Sequence, residues 1–441
     1  MKNIVVIGGG AAGMMCAILA SGPDTGITLI EKNEKLGKKL FITGKGRCNF
    51  TNACTEEEFL PNVMSNSKFL YSSIYGLNSK RVMELFEEWG MTVKVERGRR
   101  AFPASDHSSD VIDTLKRQLT KNHVRVLLDT EVSDIVCSEE ETADAEAADE
   151  RKHKRIPSRR AEGVRIRKDG REETIPADAV VVATGGISYP STGSTGDGYR
   201  FARELGMKVT PLYPSLVPIA CSEEYIKEMQ GLSLKNVELH IRSGKKKLYD
   251  GFGEMMFTHF GITGPLVLSA SAEIGPLIGK KEMTAWIDLK PAVSEEQLDA
   301  RLVRIFSENP NKYLQSVLGE LYPAKMVPVI PEVAGVDPET RLHDLTRKER
   351  EALIRATKHF PVSIVSLRGY NEAVITKGGV SVREIDPGTM ESKKVRGLYF
   401  IGEVLDLDAL TGGYNLQIAW CTAAACARAM TEEEMRRADG A

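Results

Sequence analysis

The 441-residue chain reads as an α/β protein built on a Rossmann-like, doubly wound sheet, interrupted by a β-rich insert and then a helical one. Three observations predict this. Ile4, Val5, Val6 and Ile7 run straight into Gly8, Gly9, Gly10, Ala11, Ala12 and Gly13, and Glu31 closes the next apolar run. Two further apolar strands, residues 179–183 and 398–401, lead into glycine turns. Between them the apolar spacing changes first to short β segments with turns and then to helical periodicity.

The opening segment is a strand, a glycine turn and an apolar helix from residue 11 to about 21. Gly8 permits the tight turn, Gly10 lets backbone amides approach a pyrophosphate, and Gly13 lets the helix pack on the strand. The positive helix end favours the diphosphate, and Glu31 follows at the distance of an acid that accepts ribose hydroxyls. That acid repels a ribose 2′-phosphate, which leaves NAD or FAD as the ligand of this site. Lys2 before the apolar run does not make a leader, because Gly8 to Gly10 break the run.

Residues 37–52, GKKLFITGKGRCNFTN, follow as a loop too polar for the core. Helical spacing predicts helices over 79–90 and 106–122; strands are expected at 124–128 and 132–137, continued by 163–167 and 173–175 in a small antiparallel sheet. Residues 138–160, acidic and then basic with almost no apolar residue, read as a solvated hairpin loop. The β-rich insert runs from about 208 to 290, the helical insert from 291 to 360, and 361–378 return to strand character. Residues 1–207 and 379–441 then make the two parts of the nucleotide-binding domain. A helix over about 415–430 ends the ordered chain, with 431–441 a charged tail.

Composition narrows the function. A net charge of -2 from 59 basic and 61 acidic residues gives no overall field for nucleic acid or anionic lipid, so the expected partner is a small molecule. No stretch is long and apolar enough to span a membrane. Seven scattered cysteines, an odd number without zinc-ligand spacing, suggest reduced thiols and a cytoplasmic setting. The sequence carries no signal for oligomeric state.

Three strand ends with glycine turns (Gly8 to Gly13, Thr184 to Gly186, and Gly402 with Gly412 and Gly413) belong on the ligand side of a doubly wound sheet, where one extended cofactor could touch all three. The run Thr411, Gly412, Gly413, Tyr414, Asn415 before a helix favours FAD over NAD, because a helix N-terminus stabilises negative charge on the pyrimidine edge of a reduced flavin. No closely spaced cysteine pair follows the first motif, which argues against a disulfide reductase. The second glycine cluster, Gly193 to Gly198, follows a proline and a serine-rich turn instead of a strand, so a separate NAD(P) domain is not expected. Candidates for catalysis are His259 for proton transfer, Tyr414 to polarise a carbonyl, and Arg47 to hold a carboxylate or flavin charge. A core histidine, a packed tyrosine and a surface arginine are the structural alternatives.

The segments VVIGGGAAGMMCAI, KKLFITGKGRCNFTN, VVVATGGISYPSTGSTGDGYRFARELG, GEMMFTHFGITGPLVLSAS and TKGGVSVREIDPGTMESKKVRGLYFIGEVLDLDALTGGYNLQIAW together resemble the HI0933-like (BaiN-type) flavoproteins over nearly the whole chain. The resemblance implies a non-covalent FAD domain of the glutathione-reductase kind, interrupted by a β-barrel and a helical subdomain. It places cofactor contacts at Gly8, Gly10, Ala12, Gly13, Glu31, Lys32, Lys39, Gly44, Arg47 and Asn49, at Val132 through its backbone, and at Thr184, Gly185, Gly402, Glu403, Gly413, Asn415 and Leu416. The family includes NAD(P)H-linked flavin reductases of enone-type bile acid intermediates and others treated as amine oxidases. The expected activity is hydride transfer from NAD(P)H through FAD to a conjugated C=C; the alternatives are an amine oxidase using O2 and a flavin-binding regulatory or RNA-associated protein.

Overall fold

The computed structural model describes residues 1–139 and 159–438, with side chains in the last helix described up to residue 431. Of the expected charged loop, residues 140–158 lie outside the described residues. The chain divides into two compact units, residues 1–213 with 374–441, and residues 214–373.

The first unit is organised by a five-stranded sheet in the order Leu398–Phe400, Ala179–Val182, Lys2–Ile7, Thr25–Ile30, Arg125–Leu127. Every pairing is parallel, with Ile4 opposite Ala179 on one side and Ile27 on the other. A parallel sheet covered on both faces needs continuous apolar strands, and all four residues of Ala179–Val182 are buried. Helices Ala11–Leu19, Ser108–Lys121 and Tyr414–Ala438 contribute to the same core, from Met14 and Met15 through Val111 and Leu115 to Trp420 and Cys421. Because the strands run the same way, Gly8, Glu31, Thr184 and Gly402 all emerge from one edge.

Four expectations for this unit change. Arg125–Leu127 joins the parallel sheet as its edge, beside Thr28 to Ile30, instead of the small antiparallel sheet; that sheet is formed by Glu131–Glu139, Arg159–Lys168 and Arg171–Pro176, with Val395–Arg396 added in parallel beside Arg159 and Arg160. The loop at 37–52 is not wholly outside the core, since it holds the short helix Lys38–Ile42 and buries Cys48 and Phe50 completely. Thr51–Asn52, Arg100–Pro103 and Val93–Glu96 make a further antiparallel sheet whose strands are too short to register as alternation. The last helix runs on to Ala438, because its apolar face at Cys426, Ala427 and Met430 is still inside the core where the charged run begins.

In the second unit seven antiparallel strands are ordered Phe360–Val362, Thr284–Asp288, Ser233–Ser243, Lys246–Thr258, Gly261–Thr263, Ile219–Cys221, Ile364–Leu367. Its two outer strands are separated in sequence by Ser363 alone, so the sheet must curl until its edges meet, as in a barrel. Helices Glu295–Glu308 and Arg347–Lys358 begin with capping boxes, Ser294 with Gln297 and Thr346 with Glu349, and bury Leu302, Ile305, Leu353 and Ile354. The apolar run at 265–274 is a helix within the segment expected to be β-rich, started by Pro265 at its first position.

Candidate functional site: a glycine-lined cradle

The first glycine turn is dictated by close approach. A methyl group at Gly13 would lie 1.9 Å from the Gly8 carbonyl oxygen, and one at Gly8 (φ +108°) 2.5 Å from that of Ala183. At Gly10 the same methyl would meet no atom within 4 Å. Gly10 is also the N-cap of the nine-residue helix Ala11–Leu19, and no side chain caps that end. Open space in front of uncapped helix amides is the arrangement an anionic diphosphate needs.

Glu31 is fixed beside this turn. Its Oε2 accepts the Gly9 N–H at 2.7 Å, and its Oε1 accepts the Asn33 N–H at 2.9 Å and the Asn33 Nδ2 at 2.6 Å. A carboxylate has about four lone-pair positions, so capacity for a ribose hydroxyl remains while the group is held still. Val132 is close in the chain path: Thr130 N–H donates to the Glu31 carbonyl and Asp129 N–H to that of Asn33, immediately before the Val132 strand. Lys32 reaches outward to Asp197 at 2.6 Å and to Thr195. The second glycine cluster packs here, a methyl at Gly193 falling 2.4 Å from Asn33 Nδ2. That cluster supports the Glu31 corner.

The other two strand ends close on the same place. A methyl at Gly402 (φ +72°) would come within 2.8 Å of the Ala12 Cβ, so the last strand of the sheet touches the first glycine helix. Glu403 accepts Lys39 Nζ at 2.8 Å, Ser188 Oγ at 3.2 Å and the Thr376 N–H at 3.0 Å. Lys39 also donates to Ser188 at 2.5 Å. Gly185 (φ +71°) lies beside this pair, 3.8 Å from Glu403 Oε2 as measured from an added methyl. Gly413 (φ +97°) sits directly on the Thr51 carbonyl, where a methyl would come to 2.4 Å.

Two buried acceptors in the assembly have no partner among the described residues: Asn49 Oδ1 and Thr184 Oγ1. Buried polar atoms are nearly always bonded, so each has capacity left for a polar ligand. With the empty face at Gly10, they make the residues present fit an extended dinucleotide such as FAD. Gly8, Gly10, Ala12, Gly13 and Glu31 would hold its diphosphate and ribose, while Asn49, Thr184 and the Gly412–Gly413 turn would receive the remainder.

Other expected residues have different duties. Asn415 staples its own loop, donating to Ala409 O at 2.8 Å and accepting Ala409 N–H at 2.9 Å, so only its backbone is available to a ligand. Leu416 is half-buried against the core. Gly44 (φ +61°) forms the exposed turn that leads to Asn49. Arg47 is engaged by Asp106 through Nε at 2.8 Å, by Glu96, and by the Phe102 face at 4.3 Å, which makes it the fastener of that turn and occupies the guanidinium that was expected to hold a ligand charge. Tyr414 packs on Phe59 at 5.6 Å, and burial pushes its phenol up. His259 belongs to the second unit, where it is exposed, edge-on to Phe260 at 4.9 Å; no hydrogen bond or ion pair among the described residues fixes its tautomer. Sequence reading missed Asn33, Ser188 and Thr376, which orient Glu31 and Glu403. The signals were present, since Asn33 lies two residues past Glu31 and Thr376 opens a Thr-Lys-Gly-Gly run.

All seven cysteines are free. Among the described residues no cluster of His, Cys, Asp and Glu could hold a metal, and no helix is long and apolar enough to cross a membrane. Fold and cradle together define a Rossmann-type flavoprotein of the oxidoreductase class. More specifically, residues 2–429 match the HI0933-like protein Rossmann domain, and the chain belongs to that family.

The chain is 31% identical to the 3-dehydro-bile acid delta(4,6)-reductase of Clostridium scindens, covering 98% of this chain and 100% of that protein. It is 30% identical to the ribosomal RNA dihydrouridine synthase of Escherichia coli, covering 97% of each. Among solved structures, 3-ketosteroid delta1-dehydrogenase from Sterolibacterium denitrificans aligns over 98% of this chain and 100% of that one, with a TM-score of 0.52 at 13% identity, a likeness of fold alone.

Proposed function

We propose that this protein is an FAD-dependent reductase that saturates a C=C bond conjugated to a carbonyl, with NAD(P)H as electron donor. One observation carries the reading. Two full-length relatives with different names share a single half-reaction: a 3-oxo compound with Δ4,6 unsaturation and a uracil ring both present an alkene conjugated to a carbonyl. Bound FAD would supply the two-electron chemistry, accepting hydride from the nicotinamide and releasing it to the carbon β to the carbonyl, with a proton added at the α carbon. The chain's own part is to bind, orient and polarise. The Ala11 helix end neutralises the diphosphate, the Lys39–Glu403–Ser188 group fixes the charge at the second turn, and the amides after Gly413 stabilise negative charge at the start of the last helix.

The first acceptor class is a small 3-oxo enone of steroid or bile acid type. Anaerobic stopped-flow mixing tests it: NADH or NADPH should bleach the flavin, and a 3-oxo-Δ4 steroid should restore the colour. Bleaching by neither nicotinamide would end the reading, and bleaching by an amine with colour restored only by O2 would replace it with the oxidase. A second reading, in which the alkene is a uracil carried by RNA, is favoured by the cluster of exposed arginines at residues 97–100.

A further inference from the structure

The hairpin of Val93–Glu96 and Arg100–Pro103 is the part of the nucleotide-binding unit that the cradle leaves unused. Arg97, Arg99 and Arg100 are all exposed around its tip. The turn carrying Gly44, Lys45 and Gly46 is fastened to the same hairpin: Arg47 bonds Glu96 and lies over Phe102, Arg100 approaches that ring at 5.9 Å, and the Phe50 N–H donates to Ala101 O at 3.0 Å. Large apolar side chains stand exposed on these segments, Phe41 at 58% and Val95 at 52%.

Charge is not balanced locally. Glu96 and Asp106 are taken by Arg47 and Lys94, and Glu58 by Arg99. Lys45, Arg97 and Arg100 have no carboxylate partner among the described residues. The backbone adds a second, independent observation. Lys45 and Arg99 both adopt φ +57°, a left-handed conformation that glycine or asparagine holds more readily, so each loop turns sharply at a cation. The tip is also tied to the cradle: Asn52 Nδ2 donates to Gly98 O at 3.1 Å and to Gly412 O at 2.9 Å, bridging the arginine turn and the glycine turn at the head of the last helix.

Resting on the RNA reading above, we propose that this face docks a single-stranded segment of RNA, with phosphates on Lys45, Arg97 and Arg100 and a base stacked on Phe41, so that an unpaired uracil is delivered beside the Gly412–Gly413 turn. Cations spaced on two loops, with Phe41 exposed four residues before Lys45, match a sugar–phosphate strand with splayed bases. The near-zero net charge of the whole chain conceals this local excess of cations.

The test uses the full-length, FAD-loaded protein and fluorescence anisotropy with a short RNA hairpin bearing uridines in its loop. The double variant R97Q/R100Q is expected to bind at least about tenfold more weakly. Its slope of log K against log salt should fall by about 1.4, roughly 0.7 for each phosphate that is no longer neutralised. F41A should weaken binding by about tenfold with the slope unchanged. Bound-flavin absorbance and thermal melting report that each variant is folded. Unchanged affinity and slope in R97Q/R100Q would overturn the proposal, as would tighter binding to phosphatidylglycerol vesicles than to the RNA. Docking as described without dihydrouridine in the RNA after incubation with NADPH would leave the surface standing and defeat the uracil reading alone.

Discussion

The turn at Gly8 to Gly13 and the turn at Gly44 to Gly46 are equally rich in glycine, yet glycine is required in them for different reasons. In the first, neighbouring backbone leaves no room: an added methyl would overlap the Gly8 carbonyl from position 13 and the Ala183 carbonyl from position 8. In the second there is room, with nothing within 4 Å of a methyl at Gly46, and only the positive φ of +86° calls for glycine. Packed glycine builds a rigid ligand cradle, whereas conformational glycine shapes an exposed loop that presents cations. Composition alone does not separate the two.

Substitutions can break this contrast, starting where the effect should be largest. Gly13→Val places side-chain atoms on the Gly8 carbonyl, and a loss of more than about 4 kcal/mol is expected, read as insoluble protein or a collapsed denaturant midpoint. Gly10→Val should do the opposite: its side chain enters empty space, so the melting temperature holds while FAD affinity falls at least about a hundredfold in a fluorescence titration. Lys39→Met removes the cation between Glu403 and Ser188, both of which it bonds, and should cost about 1 kcal/mol in urea unfolding together with weaker FAD retention on dialysis. Gly46→Ala should cost about 1 kcal/mol through its positive φ and leave FAD binding untouched.

The smallest effect is in pH dependence. Burial pushes the Cys48 and Cys421 thiols up to about 12. An unfolded thiol titrates near ~8.5, so the unfolded chain loses protons that the folded one keeps. The stability these groups contribute is complete below that pH and declines as pH rises from there towards 12. Both thiols should resist alkylation in the native protein under mildly alkaline conditions and react fully in denaturant; rapid native labelling would contradict their burial.

The nucleotide strand–turn–helix was legible in the sequence because local steric demands at Gly8, Gly10 and Gly13 coincide with an apolar strand before them and Glu31 after. The position of Arg125–Leu127 was not, because three residues carry no usable period and only pairing with Thr28 to Ile30 decides the sheet they join. The helix Pro265–Ile274 was hidden in the β-rich segment for a related reason: its run is mostly apolar or small, so neither period dominates. At the site, Glu31 and Glu403 were visible as acids at strand ends, and Asn33 lies two residues from Glu31, whereas Ser188 and Thr376 reach Glu403 from segments far along the chain. Arg47 shows the converse, since a charged residue in a glycine-rich loop suggested a ligand contact and its actual partners, Glu96 and Asp106, are distant in sequence.

Direct titration of the purified protein with FAD, followed by visible absorbance and tryptophan fluorescence, tests the cradle most directly. The account predicts saturable binding of one flavin per chain, lost in Gly10→Val while that variant melts like the parent. A parent protein that stays colourless and takes up no FAD would contradict it.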